Sequence, residues 1–409
     1  MTEFGVLEET VEALAGLERR AGSAGERAAA EWLAERLRQA GARVEIDEAR
    51  FRAGYPGALL PLGAAGVVGA VQALRGRWRW RSALLAGAAA ALIVDDVSNG
   101  RRPWRRIAAR EQTTTNVVAE VGGARDGAGE RGAGAVAAVG AGERTLVVLA
   151  HHDAAPTGVV FDQRGQIALA HRFPGLIARI DTSLPLWWLV AGPPALSAVG
   201  AALASRRLTA AGGALGVATL GLGLDIARSP VVPGANDNLS ACAALVALAE
   251  ELRARPVEGL RVLLVSCGAE EILQGGVYDF VRDRLGDADR ARTSVVVLDT
   301  IGSPELIMVE GEGPFRMEDY TDPSLRDRLA ALAAAKGEPV RRGLRSRAST
   351  DGVVTSRAGF PTAVFASWDP ATKVLTNYHL MTDTPDRLSY ATIARAVRLV
   401  AALARDLAP

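Results

Sequence analysis

Five short stretches between residues 147 and 384 of this 409-residue chain each carry a histidine or acid at the end of an apolar or small-residue run. They are 147–153 (VVLAHHD), 234–238 (GANDN), 263–271 (LLVSCGAEE), 295–302 (VVVLDTIG) and 377–384 (NYHLMTDT). The apolar runs constrain the fold. β-Branched or aliphatic segments bounded by turn signals at 116–121, 145–150, 261–266, 294–298, 306–309 and 362–366 read as buried strands. Helical spacing of apolar residues lies between them, at 240–253, 277–285, 324–336 and 388–407. Strands alternating with helices predict an α/β domain with a mostly parallel mixed sheet flanked by helices. In such sheets sites form beyond the carboxyl ends of the strands, where His151, Glu270 and Asp299 fall.

Upstream, residues 6–40 have helical spacing broken at 22–25, and 44–51 alternates as a strand. Residues 122–143, rich in Gly and Ala, read as a loop or a weak hairpin. Residues 1–409 are expected to form one catalytic domain carrying insertions.

His151 and Asp153 form a His-x-Asp pair, in which a carboxylate can orient an imidazole. His152 points to the opposite side if strand geometry persists. Asp237 stands just before a helical pattern; it could cap that helix, or bridge two cations where small Gly234 and Ala235 allow close approach. Glu270 and Glu271 cannot both be buried as bare anions unless positive charge lies nearby. A cation supplies that charge, leaving one acid to ligate and the other to act as general base. Asp299 ends another apolar run, and His379 follows Tyr378 near the C-terminus. The candidate ligands His151, Asp237, Glu271, Asp299 and His379 form an imidazole and carboxylate set without thiolates. Such a set suits two zinc ions, with cobalt or manganese as alternatives.

Composition narrows the partners. Lys plus Arg (47) nearly balance Asp plus Glu (46), so no nucleic-acid partner is expected. Cys242 and Cys267 lie in apolar runs with no CxxC spacing, consistent with buried free thiols. The acidic, amphipathic N-terminal stretch lacks the pattern of a cleavable signal peptide.

Two apolar blocks interrupt the α/β pattern, at 55–97 and 184–226, each reading as an inserted helical hairpin. Their apolar segments (58–74, 82–94, 184–204 and 208–224) flank the basic turns 75–81 and 205–207. Trp78, Trp80, Trp187 and Trp188 near segment ends and arginines at the turns fit a bilayer interface. Several segments are shorter than the roughly 20 residues that cross a bilayer. The expectation is association with a bacterial-type inner membrane; buried helices in a homodimer or a cytoplasmic protein are the alternatives.

The five stretches, with residues 20–44 as an opening helix and 349–361 ahead of the last histidine, resemble the co-catalytic dizinc exopeptidases. That family includes bacterial secreted zinc aminopeptidases, glutamate carboxypeptidase and transferrin-receptor-like proteins. The resemblance runs from about residue 17 to residue 407. It implies that His151 and Asp299 bind one zinc, Glu271 and His379 the other, and that Asp237 bridges them. Glu270 is then the general base, Asp153 the partner of His151, and Tyr378 a donor to the developing oxyanion. The substrate implied is a short peptide, cleaved by an aminopeptidase. Glutaminyl-cyclase-like acyl transfer with one zinc and an inactive scaffold are rival readings. Aminopeptidase and carboxypeptidase action are not separated, and Arg341, Arg342, Arg345 and Arg347 could serve recognition or a solvated loop. The long connection between Asp153 and Asp237 departs from the family pattern, because the second apolar block sits there.

Overall fold

The computed structural model describes residues 4–52, 54–122 and 136–409. Helices α1 (Gly5–Ala15) and α2 (Ala24–Gln39) precede β1 (Arg43–Arg52); α3 (Tyr55–Leu74), α4 (Arg79–Val97) and α5 (Pro103–Ala108) lead to β2 (Glu111–Gly122). After β3 (Thr145–His151) come α6 (Arg164–Arg172), α7 (Pro174–Ile177), α8 (Trp187–Ala202), α9 (Arg206–Arg228) and α10 (Ser240–Ala254). The remainder runs β4 (Arg261–Cys267), α11 (Gly275–Arg284), β5 (Thr293–Leu298), β6 (Glu305–Glu312), β7 (Glu318–Asp319) and α12 (Ser324–Ala335). It closes with β8 (Arg341–Ser346), α13 (Asp351–Arg357), β9 (Thr362–Trp368) and α14 (Tyr390–Leu407).

The strands form one mixed sheet in the order β1-β2-β4-β3-β5-β9-β6-β7, with β8 also paired to β6. Its centre, β4-β3-β5-β9, is parallel throughout, so the carboxyl ends of these four strands share one edge. Both faces are covered, which is why β3 and β4 read as unbroken apolar runs. Within β3, Leu146, Val148 and Ala150 join a core with α1, α2, α10, α12 and α14, while Val147 and Leu149 face α11 and α13. At the start of α2, Ser23 Oγ accepts the Glu26 N–H (3.1 Å) and the Glu26 carboxylate accepts the Gly22 N–H (2.7 Å). This reciprocal cap explains why the first helical region breaks over 16–23, somewhat ahead of the expected 22–25. The arginine-rich segment after residue 340 is a strand, β8. Of the Gly/Ala-rich stretch 122–143, residues 123–135 lie outside the described residues.

The apolar blocks form four helices that pack against one another, α3 on α4 and α9, and α8 on α4 and α9. Small residues permit the α8–α9 approach: a Cβ on Gly200 would stand 2.4 Å from Thr209 N, and one on Gly212 2.6 Å from Ser197 N. Pro193 leaves the Leu189 carbonyl without its helical donor, and Thr219 Oγ1 from α9 donates to it at 2.9 Å. The outer surface stays apolar: Leu84, Val199, Leu203, Leu215 and Val217 are exposed, and only 11% of the apolar stretch of α9 is buried.

Candidate active site

The site is assembled at the carboxyl edge of the parallel strands. β3 ends at His151, and the turns after β4 and β5 deliver Glu270, Glu271 and Asp299. The segment before α10 brings Asp237, and the segment between β9 and α14 brings Tyr378 and His379. Asp237, Glu270, Glu271, Asp299, Tyr378 and His379 line one cavity of about 520 Å3.

Asp237 lies between the two histidines. His151 Nε2 is 3.3 Å from its Oδ1, and His379 Nε2 is 3.2 Å from its Oδ2. Glu271 Oε2 is 3.3 Å from His379 Nε2, and Glu270 Oε2 is 3.9 Å from His151 Nε2. Yet His379 Nδ1 and Nε2 and Glu271 Oε1 are buried without a hydrogen-bond partner. Zinc bonds of roughly 2.0–2.1 Å place tetrahedral ligand atoms roughly 3.3–3.4 Å apart. The spacings about Asp237 would therefore suit atoms that bind a common ion, and the orphaned atoms fit that use. One ligand atom from each of His151, Asp237 and Glu271 lies within a 4.8 Å group. The residues thus fit zinc held by imidazole and carboxylate.

The electrostatics point the same way. Burial pushes Glu270 well above the usual carboxylate range, with Asp351, Asp299 and Glu271 adding repulsion, while Asp299 rises to about 8. Burial opposes charge on His379, but Glu271 and Asp237 outweigh it and raise the imidazole to about 10. Burial also works against ionised Asp237, whose carboxyl is nevertheless held low by His151 and His379. Without cations, this cluster shares protons among groups that would otherwise be ligands.

The backbone of the site is clamped by further acids. The Asp153 carboxylate accepts the N–H groups of Glu270 (3.0 Å) and Glu271 (3.0 Å), and its Oδ1 lies 3.4 Å from His151 Nδ1. Asp383 accepts the N–H groups of Asn236 (2.8 Å) and Asp237 (3.1 Å). Gly234 adopts φ 59°, a left-handed conformation that favours glycine, and a Cβ there would meet Asp237 O at 2.5 Å. Asn238 ties the same segment to β5, donating to Leu298 O and accepting from Thr300 N. The peptide bond between Asp237 and Asn238 is cis.

Three contributors escaped the sequence reading. Asp383 lay inside a recognised stretch, but nothing local marks it as a backbone clamp. Gln274 Nε2 donates to Glu270 Oε1 (2.7 Å) and to Ser349 O (2.9 Å), while its own Oε1 accepts from Asn99, just after α4 (2.8 Å). Arg19, fully buried, donates to the carbonyls of Leu14, His152, Pro233 and Gly234, joining the end of β3 to the Asp237 segment. Burial lowers its guanidinium to about 10 although Asp153, Asp383 and Asp237 favour the charge. His152 points away from the cavity and pairs with Ser266 Oγ at 2.9 Å. Both cysteines are buried and free.

Residues 221–404 match the model of Peptidase family M28. The matched segment, a little under half of the chain, is similar to M28 peptidases, and the match supports a zinc-dependent hydrolase. The matched M28 segment includes Asp237, Glu270, Glu271, Asp299, Tyr378 and His379; His151 and Asp153 precede it. No curated protein matches in sequence. The fold is similar to an aminopeptidase from Aneurinibacillus sp. strain AM-1, with 14% identity, 100% of this chain and 94% of that one covered, and a TM-score of 0.56. It is also similar to a zinc aminopeptidase from Bacillus subtilis (15% identity, 100% and 95% covered, TM-score 0.54). A glutaminyl cyclase from Bacteroides thetaiotaomicron shares it as well (12% identity, 99% and 98% covered, TM-score 0.54). At these identities the likeness is one of fold.

Proposed function

We propose that this chain is a dizinc aminopeptidase acting on short peptides and associated with a membrane through α3, α4, α8 and α9. The observation that carries the dizinc reading is Asp237, whose two oxygens each face a different histidine. In this reading His151 and Asp299 hold one ion, Glu271 and His379 the other, and Asp237 belongs to both. Bound zinc would polarise the scissile carbonyl and lower the pKa of the attacking water. Glu270 takes the proton from that water and returns it to the leaving amine. Its Oε1 is anchored by Gln274, which leaves Oε2 turned toward the ligand cluster. Tyr378, stacked on His379 with ring centroids 3.9 Å apart, donates to the developing oxyanion. Asp153 orients His151 from behind.

Membrane association is supported by the apolar outer surface of the inserted helices and by two helix lengths. The 20 residues of α3 and 23 of α9 rise about 30 Å or more, the thickness of a bilayer's hydrocarbon core. Exposed Trp78 and Trp80, with Arg77, Arg79 and Arg81 against their rings, would sit at its interface.

Metal analysis together with a panel of aminoacyl-nitroanilides tests the enzyme assignment. Two zinc ions per chain and zinc-dependent release of nitroaniline are expected. One ion with cyclisation of N-terminal glutamine would favour the cyclase-like alternative, and metal-free, inactive protein would favour a scaffold.

A further inference from the structure

The cavity that holds the site extends beyond it in two chemically different directions. On one side it runs between the inserted helices, where Leu59, Leu60, Val190, Pro194, Leu220 and Ile226 line it. No charged residue of α3, α8 or α9 contributes to that limb, and its one hydroxyl, Thr219, is engaged by the Leu189 carbonyl. On another side the wall is the segment from β8 to α13, Ser346 to Thr350.

The arginines of this region are not equivalent. Arg341 pairs with Asp181 (3.0 Å), Arg342 with Asp327 (2.9 Å) and Glu310, and Arg345 with Asp319 (2.7 Å). Arg347 lines the cavity and, among the described residues, pairs with no carboxylate. Its guanidinium lies over the ring of Trp188, 5.9 Å from the centroid, and that indole is fixed by its own bond to Pro314 O (2.8 Å). Its backbone N–H donates to Ser183 Oγ (2.7 Å). A stacked guanidinium keeps its edge N–H groups free for a planar anion. Lys373, the other lysine or arginine among the described residues lining the cavity, is already engaged by the carbonyls of Ala178 and Ile180. The backbone of Arg347 adjoins the support of Glu270. Two residues further along, Ser349 O accepts from Gln274, which holds Glu270; two residues of chain span at most about 7 Å.

We propose that Arg347 binds the free carboxylate of the substrate and that the limb between α3, α8 and α9 takes an apolar side chain. The preferred substrate is then a short apolar peptide with a free C-terminus. This assignment rests on the metallopeptidase reading and specifies what that peptidase selects.

The test compares kcat/KM of the zinc-loaded full chain for leucyl-glycine, leucyl-glycinamide and alanyl-glycine. The wild type should prefer the free acid over the amide about ten- to hundredfold, the worth of a charge-assisted hydrogen-bonded pair. Arg347→Gln should bring that ratio close to one, mainly through KM, and Arg347→Lys should restore part of it. Leu220→Trp, which fills the limb, should erase the preference for leucine over alanine. A wild type that cleaves peptides without distinguishing acid from amide, or an Arg347→Gln variant with an unchanged ratio, would overturn the anchor while leaving the peptidase reading intact. A wild type that cleaves neither dipeptides nor aminoacyl-nitroanilides with zinc would bring down both.

Discussion

Asp383 holds Asp237 by its backbone: Oδ2 of the former accepts the N–H of the latter at 3.1 Å, and Oδ1 accepts the preceding N–H from Asn236 at 2.8 Å. The residue that faces both histidines is thereby positioned by an acid that faces neither. Groups that orient ligands from outside typically change metal affinity about 10- to 100-fold when removed. Asp383→Ala should weaken zinc binding by that order, measured by competition with a chelating dye. Unchanged affinity would remove the clamp from the account of the site.

Glu270→Gln keeps the shape of the side chain and removes its capacity to accept a proton. It should retain both metals and lose roughly 10²- to 10⁴-fold in kcat. Metal content by mass spectrometry and steady-state hydrolysis of an aminoacyl-nitroanilide measure the two effects. Near-normal turnover would transfer the base role elsewhere.

Stability of the metal-free chain should fall as pH rises from 6 to 9. Burial raises Asp299 to about 8, Glu26 to about 8 and Asp383 to about 7. For an acid raised on folding, the stabilising contribution is complete below its unfolded value near 4 and is lost as pH climbs through the folded value. His379, raised to about 10, acts in the same direction, full below about 6.5 and declining toward 10. Asp237, held low, would lose its contribution only on acidification, outside this window. Thermal melts of chelated protein should therefore show a decreasing Tm across the range, with the gain from zinc largest at the alkaline end. A flat or rising Tm without metal would contradict the buried cluster.

Arg19 donates to five carbonyls, at 2.8 Å to Leu14 and Pro233, 2.9 Å to His152, 3.2 Å to Gly234 and 3.4 Å to Leu17. Arg19→Met leaves these acceptors without a donor, and charge-assisted bonds of this kind are worth about 1.5–3 kcal/mol each before relaxation. A loss of roughly 3 kcal/mol or more in urea unfolding is expected. A change within 0.5 kcal/mol, in the range of an ordinary surface substitution, would mean that the carbonyls find other donors.

If the inserted helices lie in a bilayer, the expressed chain should remain in the membrane pellet after alkaline carbonate washing and require detergent for release. Replacing Leu203, Leu215 and Val217, all exposed, with Lys should shift it toward the soluble fraction. Recovery of the wild type as a monodisperse species without detergent would place these helices in a protein interface instead.

Strand-ending stretches are legible in the sequence because buried parallel strands need continuous apolar runs, and the residue after such a run emerges at the sheet edge. That logic points to His151, Glu270, Glu271 and Asp299 as neighbours even though they are far apart along the chain. The two apolar blocks are equally legible as helices, since a long run of alanine, glycine, leucine and valine has no strand period. Periodicity carries no information about which helix faces which, so the packing of α3, α4, α8 and α9 and the apolar limb between them belong to tertiary structure. The same holds for Asp383, Gln274 and Arg19: each acts on backbone or side chains brought near by the fold, and hydrogen-bond partners remote in sequence leave no local pattern. Four arginines near residue 345 look alike as letters. Only the placement of Asp181, Asp319, Glu310 and Asp327 distinguishes the three that are neutralised from Arg347, because charge pairing depends on distance in space.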